Sequence, residues 1–330
     1  MSGRAWLDAL VAAGATRATR QPEASAGRAD LVESLESGTE LVEGATLETH
    51  DVPAGAWRPA AAAFLDGIQQ WSVVGYDGVV PIVRAWVAAA VRRRGPDRRL
   101  VTTGEAGHEI VVASLERLRP AVRVVVEQAG LDVRDVPADR ATPPAQALAA
   151  ARLAVEAERV RVERLAGERW ARQAGDDEWL VVDGVLSDHA RLAEHPRALG
   201  VVKSHGAQYF TGVDLERALT VGVGRRTGVF RPAARGSGAV FAWYLRLWPW
   251  EGRDLLFGLV RLEARAAAAT VARAGALSAW LLAERAPLSA PDPRWDRLLY
   301  PLRDVETYLR ARAPRDFAAP APGRLWARPA

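Results

Sequence analysis

The sequence predicts an α/β domain, a mixed β-sheet flanked by helices, with a long helical insertion and a peripheral N-terminal arm. Three observations lead there. β-Branched runs broken by an Asp-Gly pair form a meander after Phe64, an Ala/Glu/Arg-rich stretch without Gly except Gly167 follows Pro143-Pro144, and two short apolar strands end at Asp183 and Lys203. A chain of 330 residues with 49% hydrophobic content can bury a sizeable core.

The N-terminal arm, residues 1–55, opens with a short helical pattern from Ala5 to Ala13 and continues through a region rich in Glu, Ser, Thr and Gly. The main domain spans 56–313. Its first strand, Ala63-Phe64-Leu65, is expected to end at Asp66-Gly67, and Trp71 to Val87 is read as a hairpin turning at Asp77-Gly78. Arg92 to Arg99 makes a basic turn, suited either to nucleic acid or to solvent. Two apolar runs follow, Leu100 to Thr103 and Glu109 to Leu115. The stretch from Pro144 to about Gln173 reads as one helix of roughly 30 residues, about 45 Å long at 1.5 Å per residue. Glu156, Val160 and Glu163 share one face of it by the i, i+4, i+7 rule.

Beyond the helix come the strand Trp179 to Asp183, a short helix near Asp188 to Leu199, and the strand ending at Lys203. Ala239 to Trp248 and Leu255 to Glu263 read as two more strands, and Ala264 to Glu284 as a helix. Tyr300-Pro301-Leu302 leads into a C-terminal helix, and the Pro/Ala tail over 314–330 is expected to be loose.

Composition narrows the chemistry. The absence of cysteine excludes disulfides, thiolate zinc sites and thiol catalysis, and accords with a reducing cytoplasm, where we expect the protein to reside. The N-terminus is read as carrying no export signal, and no run reaches about 20 uninterrupted apolar residues, so no membrane association is expected. The net charge is only +4, yet Lys203 is the sole lysine among 44 basic residues. Heavy arginine usage beside so much alanine reflects a GC-rich genome. A single lysine, a compact point charge, suits a phosphate or carboxylate cluster where a planar guanidinium does not fit.

Asp66 and Asp183 end apolar runs and precede glycine, so each could approach a ligand closely; they could equally be strand-terminating turns. Glu156 or Glu163 could complete a three-carboxylate site, or serve as solvated partners of neighbouring arginines. His189, His195 and His205 match no zinc spacing and are expected at the surface. Gly222 to Gly228 lacks the lysine of a phosphate loop, so no nucleotide site is expected. Trp243, Tyr244, Trp248 and Trp250 could stack on bases, although an alternating strand buries half of such residues.

The succession Asp66-Gly67, hairpin, Arg152 to Glu163 helix, Val181-Val182-Asp183-Gly184-Val185-Leu186, Gly200-Val201-Val202-Lys203-Ser204 and Tyr300-Pro301-Leu302 resembles the NurA nuclease family, from about residue 60 to 310. The resemblance implies an RNase H-like core and a Mn²⁺- or Mg²⁺-dependent nuclease active on DNA ends. It also implies a homodimer docked on a HerA-like hexameric ATPase. Carried onto this chain, Asp66 and Asp183 would bind metal with a helical glutamate, Glu156 rather than Glu163. Lys203 and Tyr300 would lie near the scissile phosphate. The chain departs from the family pattern where Ile68 stands in place of a serine after Asp-Gly, and where no histidine follows His205; Asp304 or Glu306 could substitute as an oxygen ligand. A non-cutting subunit of the same complex is the main alternative. A glycoside hydrolase would use two carboxylates but leaves Lys203 unexplained.

Overall fold

The computed structural model describes residues 3–18, 34–35, 39–54, 57–232, 240–285 and 295–314. The tail over 315–330 lies outside them.

The centre of the sheet is a long meander: β1 (Ala61–Asp77), β2 (Val80–Arg94) and β3 (Leu100–Ala113), each antiparallel to the next. The turn at Asp77-Gly78 forms as the dipeptide predicts, with Gly78 at φ +59°, a region that glycine enters without steric cost. Asp77 also caps the next connection, accepting hydrogen bonds from the Arg119 backbone N–H at 2.7 Å and side-chain Nε–H at 2.6 Å. Two expectations need correction. β1 does not stop at Asp66 but runs through it, because the small residues Ala88, Ala89 and Ala90 of β2 stay in register opposite Ile68, Gly67 and Asp66. The two apolar runs after the basic turn are one strand, β3.

β3 is followed by helix α1 (Pro120–Glu127) and strand β4 (Asp132–Asp135), parallel to β3 at the edge. Helix α2 (Pro144–Gln173) matches its predicted span, with Pro at its first turn where a missing N–H costs nothing. On the other side of β1 lie β5 (Glu178–Asp183) and β6 (Ala198–Val202), parallel to β1 and to one another. β8 (Leu259–Arg265) pairs antiparallel with β6, and β7 (Val240–Arg246) antiparallel with β8. The principal strands thus run β7-β8-β6-β5-β1-β2-β3-β4 across the sheet. The expected helix over Asp188 to Leu199 shrinks to one turn at Ala190–Ala193, and Leu199 joins β6.

Side-chain alternation gives the sheet two buried faces. Ala63, Leu65, Leu180 and Val182 pack beneath Val155, Val162 and Ala166 of α2. Phe64, Trp179, Val181 and Val201 face helices α3 (Ala268–Glu284) and α4 (Tyr300–Arg312). The N-terminal segment is not peripheral over its described parts. Trp6 and Leu10 bury themselves against Val122 and Val126, Leu47 is fully buried, and Thr16–Arg17 pair with Gly75 and Tyr76 of β1.

Arginine is not confined to the surface. Arg246 is fully buried, and its guanidinium donates to the carbonyls of Val221 at 3.0 Å, Leu255 at 3.0 Å, Phe257 and Leu219. Arg261 and Glu263 form a buried pair with an Nη2 to Oε1 distance of 2.8 Å.

Candidate active site

The site forms where the parallel pairing of β1 with β5 ends. β1 and β5 are in register up to Leu65 opposite Val182, so Asp66 and Asp183, each one residue further, lie side by side. Asp183 is opposite Val201 of β6, which places Lys203 two residues beyond. Lys203 Nζ donates to Asp183 Oδ2 at 2.6 Å. By alternation with Phe64, Trp179 and Val201, the side chains of Asp66, Asp183 and Lys203 belong to the α3/α4 face.

Gly184, at φ +134°, turns the chain sharply out of β5. The turn is held by the Leu186 N–H, which donates to Glu263 Oε2 at 2.9 Å, while Arg261 holds the other oxygen. Glu263 therefore positions the exit from Asp183, a role that its place in an apolar strand does not announce.

Asp66 is buried, and Gly67 N–H donates to its Oδ1 at 2.7 Å. Its carboxyl is pushed well above the ordinary range, first by burial, then by the charge of Asp183, with Glu163 and Glu306 adding to the effect and Lys203 opposing it. Those four side chains are among the six that the sequence proposed as site residues together with Asp66, the others being Glu156 and Tyr300. The fold brings them into one electrostatic neighbourhood.

Glu163 approaches from the opposite face. A Cβ built on Gly67 would stand 2.6 Å from Glu163 Cγ and 2.7 Å from its Cδ, and nearer still to Oε1. Gly67 is thus the opening through which the α2 glutamate reaches the sheet, and no other residue fits there. Burial raises the Glu163 carboxyl to about 7, tempered by an ion pair with Arg159 one turn earlier on α2. Arg159 was not anticipated from sequence, although its spacing from Glu163 is that of an ordinary i, i+4 partner.

Glu306, on α4, is buried and bound by Arg310 Nη2 at 2.8 Å and by Arg303 Nη1 at 3.2 Å. Asp304, its alternative, is taken up by an ion pair with Arg92.

Two expected members lie apart. Glu156 has a side chain 56% exposed and reaches only Arg159, at 3.9 Å. It shares an angular face with Glu163, but sits two helical turns away, about 10 Å along the axis, so it is Glu163 that reaches the cluster. Tyr300 begins α4 and is 63% exposed. Two of the three histidines are also not where they were expected. His189 and His205 are buried, and His205 Nε2 meets the Leu259 carbonyl at 3.0 Å. Burial lowers both to about 4, so they are neutral at pH 7.

By chemistry, the donor set fits a hard divalent cation. Its ligating atoms are all carboxylate oxygens, and a buried aspartate crowded by like charge is relieved by a cation. By arrangement, Lys203 and Arg159 already occupy oxygens of Asp183 and Glu163, and no group of three or more His, Asp or Glu side chains among the described residues closes into a cage. The division of Glu163 from Asp66 and Asp183 across the sheet accounts for this. No helix among the described residues is long and apolar enough to cross a membrane. No protein-family model matches the chain, and no curated protein matches its sequence.

Proposed function

We propose that this protein is a divalent-metal-dependent nuclease acting on DNA, built on an RNase H-like core and working as a homodimer with a HerA-like hexameric ATPase. One observation carries the reading: Asp66, inside β1, and Asp183, at the end of the adjacent parallel strand β5, stand side by side, with the only lysine of the chain bonded to Asp183. Three antiparallel strands followed by two more parallel to the first support the RNase H-like part of the reading. The dimer and the ATPase rest on the family resemblance alone.

Asp66 and Asp183 would hold the cation, with Glu163 beneath Gly67 and Glu306 on α4 supplying further negative charge. A bound Mn²⁺ or Mg²⁺ supplies Lewis-acid polarisation of a phosphodiester. The protein's own part is electrostatic and positional. Burial of Asp66 excludes water from one side of the site, and Glu263 fixes the turn after Asp183. Lys203, a compact charge on a flexible stem, would be able to turn from Asp183 to a phosphate oxygen, a use that a guanidinium lacks.

Digestion of linear DNA with Mn²⁺ tests the reading, alone and with the ATPase. Asp66→Asn and Asp183→Asn are the variants of choice, because an amide relieves the crowding of like charge and leaves the fold intact while removing a ligand. Both should abolish cleavage with an unchanged circular dichroism spectrum; cleavage at the wild-type rate by either variant refutes the mechanism. The engagement of Asp183 by Lys203 and of Glu163 by Arg159 favours a second reading, a non-cutting DNA-binding subunit of the same complex. That reading requires the wild-type chain to leave DNA intact under every metal tried.

A further inference from the structure

At the opposite end of the same strands lies a second concavity. A cleft of about 920 Å³ is bounded by the start of β1, the turn between β2 and β3, and the last turn of α3. Asp66 is five residues along β1 from Ala61, roughly 16 Å at 3.3 Å per residue, so the cleft is separate from the carboxylate cluster.

Its lining is basic. Arg58, Arg93, Arg94 and Arg98 contribute to it against one carboxylate, Glu284. Glu284 is already spent on Arg94, with contacts of 2.6 and 2.7 Å. Arg93 pairs with Glu178 through Nε at 2.8 Å, and its side chain is 51% exposed. Arg58 and Arg98 are exposed and have no carboxylate partner among the described residues. Arg98 is also the only non-glycine described with positive φ, at +65°, which the tight turn enforces.

Beside Arg58 stands Trp57, 42% exposed although it is a large apolar side chain. Its indole is held by T-shaped contacts with Trp179 at 5.6 Å and with Trp280, a cleft-lining residue, at 6.3 Å. A partly exposed indole is thus held in place at the rim of the cleft, between Arg58 in sequence and Trp280 in space. An acidic peptide would need the arginines but has no use for the ring. A single nucleic-acid strand uses both, its phosphates on the arginines and an unpaired base on the indole.

We infer that this cleft is a second, non-catalytic binding site for single-stranded DNA, with Arg58, Arg93 and Arg98 contacting phosphates and Trp57 stacking on a base. The inference goes beyond the proposed nuclease and does not require it, since nothing in the cleft cuts. It gives the basic turn, which the sequence left between nucleic acid and solvent, a binding role.

The test is fluorescence anisotropy of a labelled oligothymidylate of about 20 nucleotides with the full chain in EDTA, where metal-dependent cleavage is silent. Arg58→Ala/Arg98→Ala removes two exposed cations that hold no fold contact. It should weaken binding about tenfold at 0.1 M salt and make the log–log salt slope shallower by about 1.4. Trp57→Leu keeps apolar packing on Trp179 and Trp280 but loses the flat face; it should cost about fivefold or more, with Trp57→Phe recovering most of it. The blunt duplex of the same sequence, whose bases are not free to stack, should bind more weakly than the single strand. Wild-type affinity in the double arginine variant or in Trp57→Leu overturns the inference. So does a duplex, or polyglutamate of equal charge, that binds as tightly as the oligothymidylate. Failure of the nuclease reading would appear in the Mn²⁺ digestion and leave these binding results untouched.

Discussion

Replacing Gly67 by alanine tests whether the contact between α2 and the sheet is as close as the geometry requires. The added methyl would sit 2.6 Å from Glu163 Cγ and 2.7 Å from its Cδ, well inside van der Waals contact, so the glutamate must leave. Overpacking of this kind costs about 1–3 kcal/mol. Displacing Glu163 also strips Arg159 of the partner that offsets its burial, so a total near 3 kcal/mol is expected. The strand itself does not object. Gly67 has ordinary extended φ, and alanine is intrinsically no worse than glycine in a strand. In a Glu163→Ala background the space is vacant, and the same Gly67→Ala change should be neutral or slightly stabilising.

Urea unfolding of the four proteins of this cycle, at constant m-value, should therefore give a coupling of at least about 2 kcal/mol. If Gly67→Ala costs the same with and without the Glu163 side chain, the claim that glycine is there to admit the carboxylate is wrong. Loss of Mn²⁺-dependent cleavage in Gly67→Ala would extend the argument from packing to activity.

Two further changes probe the charges. Lys203→Ala leaves Asp183 without its 2.6 Å partner, and should lower metal-free stability by about 2 kcal/mol. The same variant should gain more from added Mn²⁺ in a thermal-shift assay than the wild type does, since the competing ammonium is gone, and its cleavage rate should fall more than its DNA affinity. An identical Mn²⁺ shift in both proteins would show that Lys203 and the cation do not share a place. His205 has its folded-state value lowered to about 4 by burial, below the value of about 6.5 for a free imidazole, so the folded state prefers it neutral. Its contribution is fully present above pH 6.5 and is lost as pH falls toward 4, up to about 3 kcal/mol. His205→Gln keeps a donor for the Leu259 carbonyl but does not titrate. Its stability should fall less than that of the wild type across that window, and parallel curves would contradict the assignment.

Much of the frame was legible because local signals agreed with the fold. The Pro143-Pro144 start and the long run after it, interrupted only by Gly167, specify α2, the Asp77-Gly78 dipeptide specifies a hairpin, and short apolar runs specify β5 and β6. What failed was local inference about things decided elsewhere. Asp66-Gly67 looked like a terminator, but whether a strand stops depends on the chain opposite, and Ala88 to Ala90 leave room for it to continue. Glu156 and Glu163 share a helical face, and periodicity alone could not say over which of the two the sheet lies. His189 and His205 follow loops that read as polar, yet both are covered by packing that no neighbour in sequence reveals. Trp57 gave no signal at all, since an exposed and a buried tryptophan look alike until their surroundings are known.

The internal arginines give the scarcity of lysine another meaning. Arg246 spreads its donors over four carbonyls from two separate stretches, 219–221 and 255–257, with no carboxylate taking part. An ammonium has three donors radiating from one atom and could not span that arc, so at this position the two basic residues are not alternatives. Arginine serves the interior of this fold where lysine could not, and the proposed site, in which a small charge would swing between a carboxylate and a phosphate, asks for the reverse. Lys203, the one lysine of the chain, stands at that site.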